Sequence, residues 1–352
     1  MPRRLRTIVT QVGSFLLAGA LLYLALRGVD FAEVIQALRR ADYVWLLPLA
    51  GIVLLSHWLR AWRWQMMLDA LPAVGRRIPV SEAFAALMIG YMVNYAAPRL
   101  GEVVRSANLS TRQHVPFSGI FGTVVVERIL DAATLALGLA SVVYLMRHRM
   151  ADLHRVFVAP IAAEWSLLPV LLVAVMVIVL FVLLFAIARR YVRRSKRATT
   201  LWRGRIRPIA VSFRDGVLTL FRSRRRVGLV SSTMLIWLCY AVMAHLPFVM
   251  LGMTEVYGLS IVDAWSIMLL GALGFVVPSP GGVGSYHYIT VLVLVSFFSV
   301  DRAPAATYAV FTHAAQLVLY VIVGFICIIV QGATLRSIKA QAASVESGRT
   351  EE

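Results

Sequence analysis

Two stretches decide the fold: Ser81-Glu-Ala-Phe-Ala-Ala-Leu-Met-Ile-Gly90-Tyr-Met-Val-Asn-Tyr-Ala-Ala-Pro98-Arg99-Leu-Gly101 and Val262-Asp-Ala-Trp-Ser-Ile-Met-Leu-Leu-Gly271-Ala-Leu-Gly-Phe-Val-Val-Pro278-Ser-Pro280-Gly281-Gly282. They align without a gap at an offset of 181 residues, so that Glu82 falls on Asp263, Phe84 on Trp265, Gly90 on Gly271 and Gly101 on Gly282. Each is an apolar helical run that stops at proline and glycine. Inside a bilayer the backbone freed by such a stop must find partners within protein or in a watery cavity. Paired interruptions at corresponding positions of two halves mark a transport site between repeats.

Composition agrees. The 352 residues are 60% hydrophobic and only 15% charged, with a mean hydropathy of +0.79, more apolar surface than a soluble domain can bury. The chain therefore reads as an all-α polytopic membrane protein. The run from Thr7 to Leu26 follows Arg3, Arg4 and Arg6 and lacks a small-residue cleavage site, so it reads as a retained helix. The net charge of +18 comes largely from fourteen Arg or Lys between Arg189 and Arg226, against the single acid Asp215. That cluster fits a cytoplasmic face meeting anionic headgroups better than it fits nucleic acid. Cys239 and Cys327 lie in apolar runs, too far apart for metal-ligand spacing.

Uncharged or nearly uncharged runs fall at 7–26, 43–59, 81–98, 116–146, 165–188, 228–253, 264–300 and 303–335. The 37 residues of 264–300 would reach ~55 Å as one helix against a hydrocarbon core of ~30 Å, so Pro278 to Gly284 must break them. Counting crossings against the positive-inside rule puts the basic cluster in the cytoplasm only if 81–115 dips in and returns. The second broken pair then dips from the outer side. The expectation is a helical bundle of two inverted repeats, about 43–188 and 228–335, each carrying a broken re-entrant hairpin. Six full crossings result, with both termini cytoplasmic. Residues 204–221 read as an amphipathic interfacial helix joining the halves, and 30–41 as a short helix with a capping-box start at Asp30 and Glu33. A single membrane domain covers 1–335 with no soluble domain on either side, and the tail 336–352 reads as disordered and cytoplasmic.

Ionisable residues in membrane segments are costly and ask for a partner or a function. The densest group is Arg99, Glu102 and Arg105, followed by Glu127, Arg128 and Asp131. Glu127 and Asp131 are like charges at i, i+4 and need a cation from elsewhere; Arg99 or Arg105 is the natural candidate. A buried network that only locks helices together explains the same residues. In the second hairpin Pro278, Pro280, Gly281, Gly282 and Gly284 carry no charge, and their backbone N–H groups could face an anion, or the turn could simply be tight. His287 follows that turn. Arg60 and Arg63, beside Trp58, Trp62 and Trp64, read as an interfacial anchor.

These motifs, Leu59-Arg60-Ala-Trp-Arg63-Trp64, Pro98-Arg99-Leu-Gly101-Glu102-Val-Val-Arg105, Glu127-Arg128-Ile-Leu-Asp131 and Pro278-Ser-Pro280-Gly281-Gly282-Val-Gly284, resemble in order and spacing the lysylphosphatidylglycerol synthase transmembrane, or flippase-like, family. The resemblance runs from about Ile8 to Leu335. It implies movement of lipids, including aminoacylated phosphatidylglycerol, across the bilayer, with relatives linked to lipid-carried sugars. Multidomain members add a soluble aminoacyl-transfer domain, which the residues after Arg336 are too few to form. Tyr286 and His287 stand where the family often has an Arg-Glu pair.

The expectation is thus a flippase whose hairpins enclose a polar cavity. Arg99, Arg105 and Arg128 would meet the phosphate of a membrane lipid, while Glu102, Glu127 and Asp131 would hold those arginines or receive a cationic headgroup. No Gly-x4-Gly-Lys-Ser/Thr motif offers ATP binding, and no metal or cofactor is expected. A separate lipid-modifying enzyme is a possible partner. The competing readings are an intramembrane enzyme using Glu127 and His287 as acid and base, and a non-transporting accessory protein.

Overall fold

The computed structural model describes residues 3–97, 100–159, 176, 207–276 and 279–332. Arg99, Pro278, the expected helix 165–188, most of the basic cluster and the tail 336–352 lie outside them. Every described element is helical. The first half holds α1 (Arg3–Leu26), α2 (Phe31–Arg40), α3 (Leu46–Leu68), α4 (Val80–Ala96), α5 (Gly101–Gln113) and α6 (Phe117–Leu145). The second holds α7 (Arg207–Val217), α8 (Arg226–Met250), α9 (Ile261–Ala272), α10 (Ser285–Phe298) and α11 (Arg302–Val330).

Both expected breaks are present. The first ends α4 at Ala96, and α5 begins at Gly101, whose N–H donates to Asn94 Oδ1 at 2.7 Å, so a side chain replaces a helical acceptor. α4 and α5 fold back on each other at glycines: a Cβ on Gly101 would lie 2.1 Å from the Gly90 carbonyl oxygen. The second break passes through 3-10 turns at Leu273–Val276 and Pro280–Gly282 before α10 starts. The aligned acids have different partners. Asp263 completes a capping box with Ser260 at the start of α9, whereas Glu82 takes a two-pronged bond from Arg112.

Neighbours repeat across the halves. α3 packs on α8 between them; α4 packs on α11 as α9 does on α6, and α5 packs on α6 as α10 does on α11. The amphipathic helices follow the same rule, since α2 lies on α11 and α7 lies on α6. Asp30 starts α2 by accepting from the Ala32 N–H at 2.8 Å. On α7, a hydrogen bond from Arg222 and one from Arg214 hold the Asp215 carboxyl below the usual carboxylate range. The apolar core divides accordingly, with Trp64, Leu87 and Ile120 in one cluster and Phe248, Leu269 and Phe297 in another. A third, around Met88, Met243 and Tyr320, joins the halves.

The protein is a membrane protein. Four described segments are long and apolar enough to cross a bilayer, Tyr43–Leu68, Arg226–Met250, Pro280–Phe298 and Arg302–Val330. A fifth results if Gly13–Leu26 and Phe31–Arg40, bent by 81°, count as one span. α6 is long enough, but Glu127, Arg128 and Asp131 interrupt its apolar sequence. Leu47, Val227 and Val330 are each about 80% exposed, which suits hydrocarbon and not water.

Candidate functional site

α3, α5 and α6 bring seven ionisable side chains together. Glu127 on α6 is fully buried, and three arginines reach it: Arg60 Nη2 at 2.8 Å, Arg105 Nη1 at 3.0 Å and Arg63 Nη2 at 3.6 Å. Asp131, one turn further, receives Arg63 at 2.6 Å and a bond from Arg60. Arg128 pairs with Glu102 of α5 at 3.0 Å. A buried charge is tolerated only when paired and hydrogen-bonded, and the pairing explains why Glu127 and Asp131 coexist at i, i+4. The balance is uneven, because four arginines face three carboxylates.

Arg60 and Arg63 correct the sequence reading: they are buried members of this cluster and not a headgroup-facing anchor. Both also reach the other half, Arg60 Nη1 donating to Tyr240 Oη at 2.7 Å and Arg63 Nη1 to Thr233 Oγ1 at 3.3 Å. The expected cation from α5 is Arg105. It lies close enough to Glu127 for an ion pair but without hydrogen-bond alignment, and its guanidinium stacks 4.7 Å above the Trp64 ring.

A cavity of about 440 Å3 opens beside the cluster, where the two breaks meet. α3 supplies His57 and Arg60, the first break Asn94, Tyr95 and Glu102, the second Ser279, Gly281 and Gly282. The breaks touch: Gly281 has φ +57°, and a Cβ there would lie 2.5 Å from the Tyr95 ring. A second hollow of about 380 Å3 lies between α3, α8 and α11, walled by Leu49, Val53, Pro247, Leu319 and Ile322. It shares Met243, Thr312 and Gln316 with the first cavity, so a chamber that carries polar groups and an apolar groove lie against the same residues.

Of the residues singled out in the sequence, Arg60, Glu102, Gly281 and Gly282 line the cavity, while Arg105, Glu127, Arg128 and Asp131 stand behind Arg60 and Glu102. Pro280, Gly284 and His287 support the second break: the Gly284 N–H donates to His287 Nδ1 at 3.3 Å, and a Cβ on Gly284 would meet the Ala18 carbonyl of α1 at 2.2 Å. Glu127 and His287 do not meet; the arginines hold one, and the other faces His313 at 4.8 Å between ring centres. The acid and base of the enzyme reading are thus apart. Sequence reasoning missed Tyr308, Thr312, Gln316 and Tyr320, a stripe at every fourth residue of apolar α11. That spacing was the available signal.

No described group of three or more His, Cys, Asp or Glu has the geometry of a metal site. Among curated proteins, the glycosyltransferase AglD of Haloferax volcanii is 26% identical over 342 aligned residues, covering 91% of this chain. The chain spans about half the length of that relative, 54%. No solved structure gives a significant match. The family model described as the lysylphosphatidylglycerol synthase TM region matches residues 11–324, nearly all of the membrane part, and the chain belongs to that family.

Proposed function

We propose that this protein is a lipid flippase that carries a phosphate-bearing headgroup through the cavity while the acyl chains stay in hydrocarbon. The observation that carries this reading is that the two hollows lie side by side against the same three residues. An amphipathic substrate needs a polar place for its head and an apolar exit for its tails, side by side, and the shared wall of Met243, Thr312 and Gln316 offers both. The excess positive charge behind Arg60 suits an anionic group, which guanidinium recognises with directed hydrogen bonds. Arg105 and Arg128 belong to the same field, and Glu102, Glu127 and Asp131 orient the arginines. The glycine turn from Pro278 to Gly284 would hinge the second broken pair.

In this reading the halves are inverted repeats, the breaks form re-entrant hairpins, and rocking of one half on the other exposes the cavity to each side in turn. The protein would sit in the inner membrane with both termini cytoplasmic. A purely structural role predicts a closed, fully paired charge cluster; here the cluster has a cation in excess and borders a chamber. The named activity of the archaeal relative belongs to a protein about twice as long.

The test is reconstitution of the purified protein into vesicles with headgroup-labelled phospholipids and a membrane-impermeant quencher. Transport predicts quenching well beyond the outer-leaflet half. Quenching that stops at the outer-leaflet fraction, with the protein folded and inserted, would overturn the proposal.

A further inference from the structure

Each broken helix is touched by a long helix of the other half, at the same place and through a glycine. Gly324 of α11 lies against α4, where a Cβ on it would stand 3.0 Å from the Met88 carbonyl oxygen and 2.7 Å from Met92 Cβ. Gly138 of α6 lies against α9, where a Cβ would stand 2.7 Å from Leu269 Cδ2. Met88 and Leu269 are 181 residues apart, the offset that aligns α4 on α9.

The two contacts are fastened differently. Arg112 Nε and Nη2 donate to the two Glu82 carboxylate oxygens at 2.7 and 2.9 Å, and Arg112 Nη1 donates to the Gln331 carbonyl oxygen at 3.0 Å. That carbonyl stands at the end of α11, where a helix leaves acceptors unfilled and favours a cation. The Gln331 side-chain amide closes the ring, accepting from Asn108 Nδ2 at 3.0 Å and donating to Glu82 Oε2 at 3.4 Å. The start of α4, the end of α5 and the end of α11 are thus tied together across the halves. Asp263, aligned with Glu82, instead accepts from the N–H and Oγ of Ser260 at its own helix start, at 2.8 and 2.6 Å. Beside it α9 meets α6 through a neutral bond, from Trp265 Nε1 to Ser141 Oγ at 2.9 Å.

Position gives the tie its consequence. Tyr320 is the last α11 residue on the cavity wall. Gly324 lies about one turn beyond it and Gln331 about two turns further. Between them Cys327 and Ile328 are buried, with Ala85 and Met88, in the cluster that joins the halves. α3 and α8 hold the halves together at their centre through the bonds from Arg60 to Tyr240 and from Arg63 to Thr233. That leaves the two glycine contacts as the places where the halves can part.

Resting on the reading of the protein as an alternating-access flippase, we infer that the α4–α11 contact is the gate at one face of the cavity and that Glu82, Arg112 and Gln331 are its latch, holding it shut at rest. In the inverted arrangement the α6–α9 contact then closes the opposite face, without an ionic tie at the aligned acid. A latch that breaks in every cycle has to be weak. The Arg112 and Glu82 side chains are 33% and 24% exposed, and an ion pair so exposed to solvent is a weak one.

The native thiol of Cys327 reports on the gate. In a Cys239→Ala background it is the remaining thiol of the chain, and its rate of reaction with N-ethylmaleimide follows the time the contact spends open. In the purified full-chain protein, Arg112→Ala and Glu82→Gln are each expected to raise that rate about fivefold, the change in open-to-closed ratio that loss of an exposed ion pair allows. The melting temperature should stay nearly unchanged. Arg222→Ala, which breaks a pair of comparable exposure with Asp215 outside α4, α5 and α11, is expected to leave the rate as it was. Unchanged rates in both latch variants would overturn the proposal, and so would an equal rise in Arg222→Ala. If Arg112→Ala misfolds, Glu82→Gln decides, since it keeps the shape of the side chain. Faster Cys327 reaction in a protein that moves no lipid would uphold the latch and overturn transport; lipid movement with unchanged Cys327 rates would do the reverse.

Discussion

Glu127 is the residue on which three arginines from two helices depend, and its loss leaves them buried without their shared counter-charge. Breaking a buried pair from one side costs about 3–5 kcal/mol because the orphaned charge stays inside. Glu127→Gln should therefore lower the melting temperature sharply. Arg112→Ala removes a pair with Glu82 whose side chains are a quarter to a third exposed, and should cost less than about 1 kcal/mol. Melting curves of the two purified variants check this ranking; equal shifts would contradict it. The cluster was half legible in the sequence. The i, i+4 spacing of Glu127 and Asp131 demanded an outside cation, and Arg105 supplied one. Arg60 and Arg63 were misread because tryptophans beside arginines at a helix end imitate an interfacial anchor, and only packing tells a buried guanidinium from a wet one.

At the scale of elements, the offset of 181 residues located both breaks, because proline and glycine act locally and need no tertiary information. The neighbours of α2 and α7 were not legible, since an amphipathic face does not name what covers it. α7 is held on α6 by close backbone contact: a Cβ on Gly216 would sit 2.3 Å from the Gly119 carbonyl oxygen and 2.8 Å from Gly122 Cα. Backbone cannot swing aside, so Gly216→Ala should destabilise the protein by about 1–3 kcal/mol. Gly51→Ala meets nothing within 4 Å and should cost nothing measurable. Gly282 is a harder case. With φ +80° and the Phe275 ring 2.3 Å from where a Cβ would lie, Gly282→Ala is strained as well as crowded. A hinge role predicts that lipid movement per folded molecule falls further than stability does. A melting curve and a flip assay on the same preparation separate the two, and normal movement per folded molecule would remove the hinge role.

For the whole molecule, the inverted arrangement makes a geometric demand: the α5–α6 link and the α10–α11 link must face opposite sides of the membrane. Single cysteines in place of His114 and Asp301, in a background lacking Cys239 and Cys327, should react with an impermeant reagent from opposite faces. Reaction of both from one face would contradict inversion. The most direct test of the central claim fills the cavity. Ala272 of α9 lines it and takes part in none of the ion pairs, so Ala272→Trp adds bulk while every arginine and carboxylate of the cluster stays in place. Leaflet-specific quenching of a headgroup-labelled lipid, measured on vesicles holding wild type or Ala272→Trp at equal folded amounts, compares them. The account predicts a fall in flip rate of about tenfold or more for the filled cavity, about 1.4 kcal/mol in barrier, with an unchanged melting temperature; an unchanged flip rate would show that lipid does not pass through this chamber.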